Sequence, residues 1–271
     1  MTSPASSARS MRVRIGPYAL WQLRDYIMDR GAPTLIISAL LGYATIGPML
    51  PMLTRSLAHL SPQAIASAGG MEGARAMQLR ELTVMFLGST LGGLVFLGAL
   101  LAIQGLVAND RKQGYYRFLF TKPLSPVRYY GQAFLIHLAG FLGVMCVLGL
   151  IYGLLVFPVL TLPRLGVIAA MFLSYAGIAF MLSAVARWDW LSLVVVATAA
   201  TYLWDRFGAS SNPLARALYL LPPLHRTSEI YSAAAAGSAL NLPLLGWFAG
   251  YGTVAFVVAL VVLRYRRLAI I

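Results

Sequence analysis

The chain has 271 residues, 59% of them apolar and only 11% charged, against about 25% charged in soluble proteins. With a mean hydropathy of +0.76 it cannot cover a water-facing surface, which excludes a soluble globular domain and a disordered chain and makes lipid its solvent. The net charge of +13 would suggest nucleic acid in a soluble protein; here it reads as excess Lys and Arg in cytoplasmic loops, with no nucleic-acid partner.

Residues 1–17 read as a disordered Ser/Ala/Arg tail, with no short apolar core and cleavage site of a signal peptide. Residues 18–271 form a single transmembrane domain. In 18–30, Leu20, Trp21, Leu23, Ile27 and Met28 share one helical face. Gln22, Arg24, Asp25, Asp29 and Arg30 fall largely on the other. This predicts an amphipathic helix in the membrane interface, ending at Gly31 and entering the first span through Pro33. The alternative is an ordinary extension of that span.

A spanning helix needs about 20 apolar residues. The stretches between charged residues therefore predict spans near 33–53, 83–107, 130–157 and 165–185. Pro158 and Pro163 break the third. A fifth, between Asp189 and Asp205, is marginal and needs Trp188, Trp190 and Trp204 as interfacial anchors. A sixth lies near 245–263. The fold class is thus an all-α polytopic membrane protein with six transmembrane helices. Between spans, residues 54–81 are mixed, with Gly69-Gly70 in the middle. Residues 206–244 hold two short apolar pieces, Pro213 to Leu221 and Ser228 to Leu240. Both are too short to span; each is either a re-entrant half-helix or a surface segment.

Six spans put both termini on one side. That side carries fourteen of the basic residues: Arg9, Arg12, Arg14, Arg24 and Arg30; Arg111, Lys112, Arg117, Lys122 and Arg128; Arg187; Arg264, Arg266 and Arg267. The other side carries seven, so both termini are expected to be cytoplasmic and the chain multi-pass in the cell membrane.

Signs of chemistry are sparse. Lys112 and Lys122 lack the glycines of a GxxxxGK[ST] phosphate loop. The single Cys146 and the scattered His59, His137 and His225 give no metal-ligand spacing. His137, near the start of the third span, is either an interhelical hydrogen-bond partner or a proton carrier. All eight acids fall at span ends or in loops. A coupled secondary carrier usually places ionisable groups within the membrane, and a membrane enzyme needs convergent reactive groups. Neither alternative finds its residues here. No catalytic, metal or cofactor-binding residue is expected, and the chain reads as a non-enzyme.

The densest polar cluster runs from Asn109 to Arg128, between the second and third spans. Pro123 stops a short helix carrying Phe118 and Leu119, and Ser125 is placed to cap the next. A basic-ringed aromatic and leucine ridge suits a protein partner; a basic loop resting on anionic headgroups has the same composition. The pattern resembles the coupling segment of ABC transporter permeases of the type-2 exporter class, which typically reads acidic-basic-acidic-x-Gly-Thr-Leu-Glu-Leu-Leu-x-Thr-x-Pro-Val-Ser. Asp110 takes the first acidic place, followed by Arg111; Gly114 takes the glycine and Phe118 and Leu119 the apolar pair. Thr121, Pro123 and Ser125 take the Thr, Pro and Ser. Lys112 and Arg117 stand where acids are common, and Tyr115 replaces a threonine.

The resemblance implies a transmembrane permease subunit of an ATP-driven exporter, working with a second permease copy or paralogue and two separate ATPase subunits. ATP and Mg would be held by the ATPases, and the segment 110–125 would dock on them. Gly88 and Gly92, then Gly149 and Gly153, form GxxxG pairs that permit close packing of helices, within the chain or across a dimer. The cargo is not legible; the spans are compatible with lipids, glycolipids, peptides or drugs.

Overall fold

The computed structural model describes residues 15–107, 125–185, 189–208, 218 and 221–265. The regular elements among them are all helices. Five are long and apolar enough to cross a membrane: Ala19–Ala58, Met71–Ile103, Pro126–Leu155, Leu162–Val185 and Leu242–Tyr265. The chain is an all-α, multi-pass membrane protein.

The first of these is two helices joined without a break. Helix α1 (Ile15–Tyr26) runs through a π-turn (Ile27–Gly31) into α2 (Ala32–Ala58). The expected stop at Gly31 does not occur, because Gly31 keeps right-handed helical angles and Ala32 donates its N–H to Ile27. Pro33 lacks an N–H, and the wider turn just ahead of it absorbs the disturbance to the hydrogen-bond ladder. Leu20, Trp21, Ile27 and Met28 are exposed, and so are Arg24, Asp25 and Asp29, while Gln22 and Tyr26 are buried. The apolar face is thus open to lipid, and Gln22 and Tyr26 turn inward to find partners.

Those partners lie on α5 (Pro126–Leu155). Gln132 donates its amide N–H to Gln22 Oε1 at 3.0 Å. The Tyr26 ring meets His137 edge-on, with centroids 4.9 Å apart. Gly140 leaves room for that ring, since a Cβ there would collide with it.

After α2, Ser61 accepts a hydrogen bond from Ala64 N–H and starts the short α3 (Pro62–Ser67). Gly69 and Gly70 follow with φ of +83° and +101°, angles open to glycine without strain. They reverse the chain into α4 (Met71–Ile103). At 33 residues this helix is about 50 Å long. It extends well past the uncharged stretch and carries Glu72, Arg75, Arg80 and Glu81 in its first three turns. It also stops at Ile103, before residue 107, through a turn at Gly105 with φ of +73°.

Helix α6 (Leu162–Val185) is the centre of the bundle, with Val167, Met171, Phe172, Ala176, Phe180 and Ala184 fully buried. Pro163 opens it rather than ending α5, which stops at Leu155. Its closest neighbour is α9 (Leu242–Tyr265). A Cβ on Gly177 would strike the Gly252 carbonyl, and one on Gly252 would strike the Leu173 carbonyl. Lipid offers no hydrophobic drive between helices, so such backbone contact is a main source of attraction. Phe134, Phe180 and Phe256 bring α5, α6 and α9 together, with centroids 4.2–6.0 Å apart.

Helix α7 (Asp189–Phe207) covers the stretch expected as a marginal fifth span. Its 19 residues reach about 28 Å, but Asp189, Asp205 and Arg206 leave it outside the five strongly apolar helices. Trp204 near its end stacks on His225 at 4.1 Å, a contact inside the protein where an interfacial anchor was expected.

Candidate functional site

Beyond α7, a 3-10 turn (Leu224–Arg226) follows Pro222-Pro223 and leads into α8 (Thr227–Ala236), which packs on α4 and α6. Gly237, with φ of +67°, closes α8, and Ser238 donates its N–H to Ala233. This is the Schellman pattern, which satisfies carbonyls at a helix end. Ile230, Tyr231, Ala234 and Ala235 are buried. Tyr231 lies against Gly92 and Ala235 against Gly88. The first glycine pair therefore packs on a short helix of the same chain, at the level of the apolar stretch of α4. The second pair packs locally: Gly149 faces Leu160, and Gly153 faces Pro158.

Arg164, in the first turn of α6, clamps the end of α8. Its Nε and Nη2 donate to the carbonyls of Ala234 and Ala235, each at 2.8 Å, and Nη1 donates to Val159 at 2.7 Å. A cation at a helix C-terminus also meets the negative end of the helix dipole. On the far side of α8, Glu229 accepts from Arg226 at 2.7 Å and from Asn241 Nδ2 at 2.9 Å. Asn241 in turn accepts from Leu244 N–H and caps α9. These two hydrogen bonds, Asn241 first, hold the Glu229 carboxyl below its ordinary range. His225 is also lowered, by partial burial and then by the neighbouring Arg226 charge.

Beneath Arg164 lies a cleft of about 320 Å³ between α2, α4, α5 and α6. Its walls are almost wholly apolar, among them Leu87, Leu91, Leu94, Met145, Leu148 and Ile168. The lining side chains that carry polar atoms are Ser38, Tyr43, Thr90, Tyr152 and Arg164. Ligand sites commonly pair an apolar body with a few polar groups that fix orientation. Gly149 belongs to the wall, so one glycine singled out for helix packing also shapes this space.

Of the residues expected to form a coupling segment, Asp110, Arg111, Gly114, Phe118, Leu119, Thr121 and Pro123 lie outside the described residues. Ser125 lies within them. It stands in extended conformation at the N-cap of α5, with Pro126 at the first helical position, and its side chain makes no capping hydrogen bond. Its carbonyl accepts from Tyr129 N–H at 3.0 Å.

Among the described residues His137 bonds only within its own helix: its Nδ1 donates to the Ala133 carbonyl, so Nδ1 carries the proton. Arg30 reaches the carbonyl of Ala102 near the end of α4. Among the described residues no group of three His, Cys, Asp or Glu side chains is placed to hold a metal ion. Sequence reasoning missed the cleft and the Arg164 clamp, because both depend on which faces of four helices meet. Compared with known proteins, the chain matches no family model, no curated protein and no solved structure.

Proposed function

We propose that this chain is the membrane-spanning permease subunit of an ATP-driven ABC exporter of the type-2 class. It pairs with a second copy or a paralogue and is worked by two separate ATPase subunits that hold ATP and Mg. On this reading α7 is a sixth span, both termini are cytoplasmic, and the chain sits in the cell membrane. The observation that carries the proposal is the pattern from Asp110 to Ser125, placed between two apolar helices at the end where basic residues concentrate. The order Gly114, Phe118-Leu119, Thr121, Pro123, Ser125 keeps the spacing of a coupling segment. The sequence has no phosphate-binding loop of its own, which fits a motor carried on other polypeptides.

In mechanism, closure of the ATPase pair pushes the segment between α4 and α5. Helix α1 leans on α5 through Gln22 and Tyr26, so a push on the base of α5 is passed to α1 and α2. The test is a double substitution, Phe118→Asp with Leu119→Asp, in the tagged full-length chain. We expect membrane insertion to persist and the ATPase to be lost on co-purification. An ATPase that stays bound contradicts the docking role.

A further inference from the structure

The cleft and the clamp above it make one site with a defined chemistry. Its mouth lies between α2 and α5, where Tyr43 is 77% exposed and Leu155 74% exposed. Such apolar rims face lipid in a membrane protein, so the cleft opens sideways to hydrocarbon. A narrow apolar space with that opening excludes water and sugars and admits an alkyl chain. Three of the five N–H groups of Arg164 bind backbone carbonyls, and among the described residues no carboxylate pairs with it. A second cation, Arg80 on α4, is close enough for its charge to act on Arg164. Two cations held near each other, neither within ion-pair distance of a carboxylate among the described residues, favour an anion between them.

We propose that the cleft holds one acyl chain of an anionic phospholipid, taken from the leaflet at the Arg164 end, with Arg164 and Arg80 facing its phosphate. The binding claim stands whether or not an ATPase works the chain. Naming such a lipid as cargo rests on the permease reading.

Gly42 offers a clean way to fill the space. It lies in the wall of the cleft, and a Cβ added there meets nothing within 4 Å. Gly93 has equal room but is not in the wall, so it serves as control. The full-length chain is reconstituted in phosphatidylcholine vesicles with spin-labelled phosphatidylglycerol or spin-labelled phosphatidylcholine as probe. The motionally restricted fraction is then read by electron paramagnetic resonance.

The unsubstituted chain is expected to restrict phosphatidylglycerol preferentially. Gly42→Phe should abolish that preference, while Gly93→Phe keeps it. Arg164→Gln and Arg80→Gln should each lower it by about fivefold, the weight of one basic residue near an anionic headgroup. Arg80 takes no part in the clamp on α8, so its variant separates charge from folding. Equal restriction of the two probes, or a preference that survives Gly42→Phe or Arg80→Gln, overturns the proposal. Preferential binding together with no ATPase partner would leave the site standing and remove only the permease reading.

Discussion

Single residues set the closest approaches in this bundle. Gly177 and Gly252 let the backbones of α6 and α9 touch, and no flexible side chain stands there to yield. Gly177→Leu should therefore push the two helices apart and cost about 1–3 kcal/mol, the usual range for overpacking, read as a lower unfolding midpoint in detergent. Gly246→Leu, where nothing lies within 4 Å, should leave the midpoint unchanged.

The segment around α8 carries a pH dependence of definite sign. The folded state holds His225 below its ordinary value of 6.5 and Glu229 below 4.5. Both depressed groups contribute stability that is present above those ordinary values and is lost as pH falls through the lowered ones. Protection against hydrogen exchange in residues 224–245, taken relative to the intrinsic rate at each pH, should thus fall first below about pH 6.5, from His225, and again below about pH 4.5, from Glu229. Glu229→Gln should remove only the second step. A flat profile across both ranges would show that neither contact holds the segment.

At the scale of elements, Arg164 decides whether α8 stays seated. Hydrogen bonds from a charged group are worth about 1.5–3 kcal/mol, so Arg164→Ala should loosen the end of α8 by roughly that amount. The check is faster exchange of the Ala234 to Ser238 amides with the rest of α6 unchanged. The long helices were legible because lipid demands an uncharged run, and α5, α6 and α9 fall within a few residues of the expected spans. The ends of α4 were not, since a helix can carry Glu72 and Arg75 into water without breaking. The inward turn of Gln22 and Tyr26 was missed for another reason. A sequence shows two faces of α1 but not which one meets α5. The short helix at 227–236 was visible as an apolar piece, but its place beside Gly88 and Gly92 depends on a long-range contact. The Arg164 clamp was hidden likewise, because its partners lie seventy residues away.

At the scale of the whole molecule, the proposed coupling segment rests on the resemblance of residues 110–125 to those of ABC permeases, and the cleft came only from the assembled helices. If both belong to one exporter, Pro123→Ala should leave the ATPase bound while hydrolysis no longer tracks transport, measured on the purified complex in vesicles. Coupling that survives would make the helix stop at Pro123 irrelevant. The most direct measurement of the central claim is a photo-crosslinker placed at Phe118 in the tagged, full-length chain within native membranes. The account predicts a crosslink to a separate polypeptide bearing a GxxxxGK[ST] phosphate loop, with a yield that changes when ATP and Mg are added. Crosslinks to lipid alone, or a yield indifferent to nucleotide, would contradict it.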